Sequence, residues 1–344
     1  MASHGNGGGV ATAMSVVVPF YNLERYVRPC LDSVVAAFAR LSDSARQVIE
    51  VVCVDDGSTD STGNVLDAYS RDHQQSGLAG LAFCVVHKPN GGEGSARNVG
   101  IEAAHGRWVT FLDGDDVWLE NHLEVALPLI AAHPTADIVA LKYANFDDGG
   151  ECPKQTAADS RVIDVSTCVP SEVLLEVGVF PTFFRREFLE GLRFSSLPLG
   201  ADRLHMAQCF AKAHTVVKCD AVVHGYRVRQ GSMARAAWNA RKVSSQCDYA
   251  FGSLEALASS GKRIGREGFE YVASLWLSDV PNRLARLVRR ERRAAWKNWR
   301  MTLGSDCVRR LPRFDRVRRL IMAFSFSMAA SICVARLLRK AGIS

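Results

Sequence analysis

Apolar residues over the first 145 positions come in short β-branched runs separated by stretches of helical spacing. Ser15–Val18, Val48–Val54, Leu81–Val86, Trp108–Leu112 and Ile138–Leu141 read as strands. Leu31–Leu41, Ser61–Arg71, Ser95–Ala104 and Leu119–Ala132 read as helices, with Ser61 and Ser95 placed as N-caps. This alternation predicts an α/β fold, a doubly wound and mostly parallel sheet with helices on both faces. After Asn145 the rhythm breaks. The polar stretch from Asp147 to Ser166 reads as a long loop, Pro170 to about Ala236 as mixed structure, and Ala237 onward as helix. The organisation expected is a flexible leader over 1–13, a first half over 14–145, a second over 146–236 and a helical region over 237–344.

Polar clusters follow directly on the strands: Pro19-Phe20-Tyr21-Asn22, Asp55-Asp56-Gly57-Ser58, Lys88 to Gly94, and Asp113-Gly114-Asp115-Asp116. In an open α/β sheet the carboxyl ends of parallel strands share one edge, and ligands bind there. The clusters therefore converge on one site.

Composition adds little until the chain is divided. It is 48% hydrophobic and 23% charged, which excludes disorder, and its net charge is +6. Residues 281–344 hold 17 Lys and Arg against 3 Asp and Glu, which leaves residues 1–280 at a net −8. The ten cysteines form no CxxC, so neither a zinc cage nor a disulfide framework is written here. Cys53 and Cys84 lie in strand runs and read as small buried hydrophobes of a reducing cytoplasm. Met1 to Gly9 has neither the cationic nor the apolar segment of a secretory signal.

Asp113, Asp115 and Asp116 carry the strongest chemical signal. Three carboxylates within four residues at the end of a buried strand repel one another unless a cation neutralises them, and an all-oxygen set suits Mg²⁺ or Mn²⁺. An acidic surface turn is the plain alternative. Asp55 or Asp56 could accept a hydrogen bond from a base or ribose, while Ser58 or Asp60 serves as a helix cap. The glycine-rich segment Asn90 to Asn98 opens a helix, so its backbone N–H groups and Arg97 could approach a diphosphate. It lacks the lysine of a Walker motif.

In this order, Val-Val-Val-Pro-Phe-Tyr-Asn (16–22), Val-Asp-Asp-Gly-Ser-Thr-Asp (54–60), Asn-Gly-Gly-Glu-Gly-Ser-Ala-Arg-Asn (90–98) and Phe-Leu-Asp-Gly-Asp-Asp-Val-Trp (111–118) resemble the family 2 glycosyltransferases of GT-A fold. The resemblance covers about residues 14–145. It implies nucleotide contacts from Asp56 and Arg97, with Pro19, Tyr21 and Asn22 lining the base pocket. It also implies ribose and metal contacts from Asp113 and Asp115, Asp115 being the metal ligand of choice. Further along, Arg185 to Phe194 resembles the segment before the acceptor site, where a Glu-Asp pair supplies the catalytic base. Here Gly200-Ala201-Asp202 keeps the Asp, and Ala201 stands where Glu is usual. Tyr226-Arg227-Val228-Arg229 resembles the basic loop that closes on the diphosphate, with Arg227 or Arg229 neutralising charge there.

The family reading implies an inverting transfer from a nucleotide sugar, a UDP-sugar by family frequency, to a hydroxyl of a glycan or lipid-linked acceptor. The Mg²⁺ or Mn²⁺ offsets charge on the leaving diphosphate, and Asp202 takes the acceptor proton. A catalytically silent nucleotide-binding or scaffold protein is the alternative that Ala201 suggests. His205 reads as structural or as orienting the base.

Residues 283–319 interleave Arg with apolar residues and Trp, and Leu320 to Ala335 carries no charge. As a helix that run spans roughly 24 Å, short of a hydrocarbon core of about 30 Å. An anionic membrane surface at the inner, cytoplasmic face fits it best, with a buried helix as competitor. Nucleic acid is not expected, because no reader motif accompanies the charge.

Overall fold

The computed structural model describes residues 13–43, 48–75, 79–230, 238–265, 267–268 and 271–272. The first elements are β1 (Met14–Phe20), α1 (Val27–Ala39), β2 (Ile49–Asp55), α2 (Thr62–Gln75), β3 (Leu81–His87), α3 (Glu93–Ala103) and β4 (Trp108–Phe111). Then come β5 (Val117–Trp118), α4 (His122–Ala132), β6 (Ile138–Asp147), β7 (Ser160–Asp164), β8 (Cys168–Val169), α5 (Ser171–Glu176) and β9 (Thr182–Arg185). The last are α6 (Ala201–Lys212), β10 (Thr215–Val228), α7 (Ala240–Ser259) and β11 (Arg263–Ile264).

These elements form two compact units. One takes the described residues up to Ser160 with Phe180–Glu190 and Cys219–Arg227; the other takes Arg161–Val179, Gly191–Lys218 and the described residues from Val228 onward.

In the first unit the strands run β3-β2-β1-β4-β9-β6-β10-β5. The β1–β2, β2–β3 and β1–β4 pairs are parallel, with Met14 opposite Ile49 and Trp108. All seven residues of β1 are buried, as expected of a central strand covered on both faces. In α1, Val27, Cys30, Leu31, Val34, Ala37 and Phe38 are buried, a stripe of helical period facing the sheet. Beyond β4 the pairing becomes antiparallel: β9 is antiparallel to β4 and β6, and β5 to β10. Since β4 and β6 both oppose β9, they run the same way. The ends of β4 and β6 and the start of β9 therefore share the edge used by β1 and β2.

Several expectations are corrected in detail. The helix placed at Ser95 begins at Glu93 after Gly92, whose φ of 86° favours glycine, so Ser95 lies inside α3 and is no cap. Cys84 is exposed, because β3 ends the strand order and only Phe83 of its seven residues is buried; Cys53 is buried as expected. The 147–166 stretch is less loop-like than its polarity suggests, since β6 continues to Asp147 and β7 lies within it.

In the second unit α6 packs on α7. Gly200 has φ +77°, and a Cβ there would lie 2.1 Å from Tyr249 Cδ1. β11 pairs in parallel with β8, so the region after Ala237 is not helical throughout.

Candidate active site

The loops after β1 and β2 are tied together. Asn22, with φ 53°, donates its N–H to Ser58 Oγ at 3.0 Å and accepts from Thr59 N at 2.8 Å through Oδ1. Tyr21 is exposed beside it. Gly57 has φ +70°, and a Cβ there would meet Asn90 N at 2.6 Å. That glycine lets the second and third loops touch.

Asp55 accepts from Ser58 N at 3.0 Å and faces His87 Nδ1 at 3.0 Å. Burial would raise its pKa, but the Ser58 and His87 contacts outweigh this and hold it low. The contacts to Asp55 and Asp67 raise that of His87. Asp56 is buried, and its carboxylate accepts from Lys88 Nζ, from Gly91 N at 2.9 Å, from Gly92 N at 2.7 Å and from Asn90 Nδ2 at 3.2 Å. A carboxylate has about four lone-pair sites, so these donors fill it. Asp56 thus braces the Asn90–Gly92 turn. Sequence reasoning gives His87 and Lys88 no separate role. The available signal is the β2–β3 register, which sets His87 opposite Asp55 with Lys88 next in the chain.

After β4, Asp116 N donates to Asp113 O at 2.9 Å, closing the acidic turn. Gly114 packs on β1, where a Cβ would lie 2.5 Å from Phe20 Cδ1. Arg97, only 1% exposed, donates Nη2 to Asp113 Oδ1 at 2.6 Å and pairs with Glu93. Burial raises the pKa of Asp113; Arg97 opposes this, and Glu93, Asp116 and Asp115 add to it. Asp116 is fully buried, with Oδ2 3.0 Å from His224 Nε2 and Oδ1 accepting from Arg227 N at 2.8 Å. Burial, then Asp115, raises its pKa too. Burial lowers that of His224 to about 4. Asp115 is half-buried.

Arg227 is anchored at the acidic turn. Its Nε donates to Asp115 O at 2.7 Å, its Nη1 lies 3.4 Å from Asp148 Oδ1, and its guanidinium sits 4.5 Å from the Phe146 ring centroid. Arg227 thereby clamps the acidic turn to β10.

Pro19 is the buried penultimate residue of β1, opposite Val54. Asp202 and Arg229 belong to the second unit, both half-exposed, with Asp202 in the first turn of α6. His205 is buried and stacks on Phe194 at 3.8 Å, in keeping with its structural reading. The basic residues 283–319 and the run 320–335 lie outside the described residues. Among the described residues no helix is long and apolar enough to cross a membrane, and no three His, Cys, Asp or Glu side chains form a ready metal cage.

The sequence of residues 15–192, just over half of the chain, matches the model of glycosyl transferase family 2. The chain belongs to that family. Among curated relatives, this family 2 chain is 26% identical over 260 residues to Glycosyltransferase GlyA of Streptococcus pneumoniae, covering 72% of this chain and 35% of GlyA. It thus spans about a third of that relative's length. Among solved structures it resembles S. aureus TarS 1–349 in complex with UDP-GlcNAc, with TM-score 0.66, 21% identity, and coverage of 96% of this chain and 92% of that one. It also resembles the mannosyltransferase PcManGT of Pyrobaculum calidifontis in complex with GDP-Man and Mn²⁺, with TM-score 0.54, 20% identity, and coverage of 96% and 88%. At these identities the likeness establishes the fold, the GT-A fold.

Proposed function

We propose that this family 2 protein is a metal-dependent, inverting glycosyltransferase that moves a sugar from a UDP-sugar to a hydroxyl of an envelope or lipid-linked glycan. The observation that carries the reading is the turn after β4. It holds three carboxylates with Arg97, His224 and Arg227 braced around them, on the edge that also bears Asp55 and Asp56. The nucleotide sugars named for TarS and PcManGT support this class of donor, and the Mn²⁺ named for PcManGT supports the metal.

The residues present fit a hard divalent cation. The turn offers only oxygens, and burial with mutual repulsion disfavours its charged form until a cation arrives. Asp115 and Asp113 would hold it. Bound there, Mg²⁺ or Mn²⁺ supplies charge stabilisation for the departing diphosphate.

The rest falls to the chain's own side chains. Arg97 fixes Asp113, and Arg227 and His224 fix the turn through Asp115 O and Asp116. Pro19, Tyr21 and Asn22 line the base side, with Asp55 and Asp56 holding the neighbouring loops. Arg229 offsets diphosphate charge. Asp202 takes the acceptor hydroxyl's proton as that oxygen attacks the anomeric carbon from the face opposite the diphosphate, which inverts the configuration. Residues 14–145 serve the donor, 146–236 the acceptor, and the basic 237–344 region meets an anionic membrane surface at the cytoplasmic face.

Release of nucleoside diphosphate tests the reading. Incubated with UDP-, GDP- and CDP-sugars and a membrane glycan extract, the protein should release UDP from one UDP-sugar in Mn²⁺ or Mg²⁺ and stop in EDTA. Nucleotide binding without release from any donor would instead favour a silent scaffold.

A further inference from the structure

Beyond β4 in the strand order, three elements bring one aromatic ring each to a common patch. Tyr143 comes from β6, Phe180 from just before β9, and Tyr226 from β10. Ring centroids lie 5.9 Å apart for Tyr143–Phe180, 5.8 Å for Tyr143–Tyr226, and 5.8 Å for Phe180–Tyr226, whose planes differ by 5°. The three rings thus form a nearly equilateral cluster. It is not ordinary core: Tyr143 is 46% exposed and the other two are half-exposed, whereas Ile138 to Leu141 and Phe146 on the same strand are buried.

The patch adjoins the acidic turn. Arg227, the residue after Tyr226, donates its N–H to Asp116. Phe180 stacks on His224 at 5.3 Å, and that ring meets Asp116 through Nε2. Burial, followed by the charges of Asp113, Asp116 and Asp115, pushes the Tyr226 phenol up to about 12.

Topology separates this patch from the base side. The β1 and β2 loops lie on one side of β4 in the strand order, and β9, β6 and β10 on the other. An exposed aromatic face beside carboxylates suits a ligand with a flat C–H face and a hydroxyl rim. A pyranose has both: its C–H face packs on the rings, and its hydroxyls reach phenolic oxygens.

We propose that Tyr143, Phe180 and Tyr226 form the platform on which a pyranose of the acceptor glycan lies, with Tyr143 supplying the exposed contact. The proposal rests on the glycosyltransferase reading above, and its test separates the two.

The full chain is examined by saturation-transfer NMR with cellobiose, chitobiose and maltose, each with and without UDP and Mg²⁺. UDP and UDP-GlcNAc affinities are measured in parallel. Wild type should bind at least one disaccharide. Tyr143→Ala should weaken that binding about tenfold, the scale of one aromatic contact, while Tyr143→Phe and Tyr143→Trp preserve it and UDP affinity stays the same in all. Tyr143 is exposed, so its replacement leaves the core intact. Disaccharide binding unchanged in Tyr143→Ala, or absent from a wild type that binds UDP, would overturn the platform and leave the proposed function standing. Loss of UDP-GlcNAc but not UDP affinity in Tyr143→Ala would overturn the acceptor assignment in favour of the donor sugar. Disaccharide binding that depends on Tyr143 in a protein blind to UDP would support the platform and contradict the proposed function.

Discussion

Asp115→Ala should lower transfer about 10³-fold and abolish metal-dependent nucleotide binding. The size follows from losing a cation worth several kcal/mol to the departing diphosphate, at about 1.4 kcal/mol per factor of ten. The direction of the stability change is the opposite of that for most substitutions. The charge of Asp115 raises the pKa of both Asp113 and Asp116, so removing it relieves repulsion in the metal-free turn. The variant's melting temperature without metal should equal or exceed that of the wild type. A clear loss of stability together with retained transfer would show that the carboxylate is a fold element and not a cation ligand.

Asp202→Ala should cost about 10² to 10⁴ in transfer, the usual contribution of a positioned base, with nucleotide binding close to wild type. Asp202 sits in the first turn of α6, where a negative charge also favours the helix. That structural share is about 0.3–1 kcal/mol, visible in a melting curve and too small to account for a hundredfold loss of rate. Transfer by Asp202→Ala at near wild-type rate would remove it as the base and leave it a helix-end charge. Measuring binding, melting and turnover on the same preparation separates these roles.

The strands β1, β2 and β4 were legible because they are buried on both faces and therefore largely apolar, as the complete burial of β1 shows. The loops after β1, β2, β3 and β4 were legible because turn residues interrupt those runs at the strand ends. Of the antiparallel half, only the start of β6, Ile138–Leu141, shows in the sequence pattern. β5 has only two residues, β9 four, and β6 passes from buried to exposed positions after Leu141, so none offers a clean period. The start of α3 was not legible either. Serine is a common cap, which points to Ser95, but the chain enters the helix through the positive-φ glycine Gly92, directly before Glu93.

Among site residues, sequence indicated which carboxylates cluster but not what fills them. Four donors from Lys88 to Gly92 reach Asp56, contacts that depend on tertiary approach across Gly57. The basic neighbourhood of Arg227 points to a phosphate, and nothing in the sequence announces the Asp148, Phe146 and Asp115 carbonyl contacts of its guanidinium. His224 gave no sequence signal, because a lone histidine in a strand announces nothing until Asp116 is found 3.0 Å away. The three aromatic rings lie on separate elements, and only the sheet order brings them together.

The most direct test of the central claim is a thermal-shift titration of the full chain with UDP, GDP, CDP and ADP, each in Mn²⁺ and in EDTA. Binding to the folded state raises stability by mass action, about 2.7 kcal/mol at a hundredfold excess over Kd. The account predicts a rise in melting temperature with UDP that requires Mn²⁺ and is absent from Asp115→Ala; no shift with any nucleotide, or one indifferent to EDTA, would contradict it.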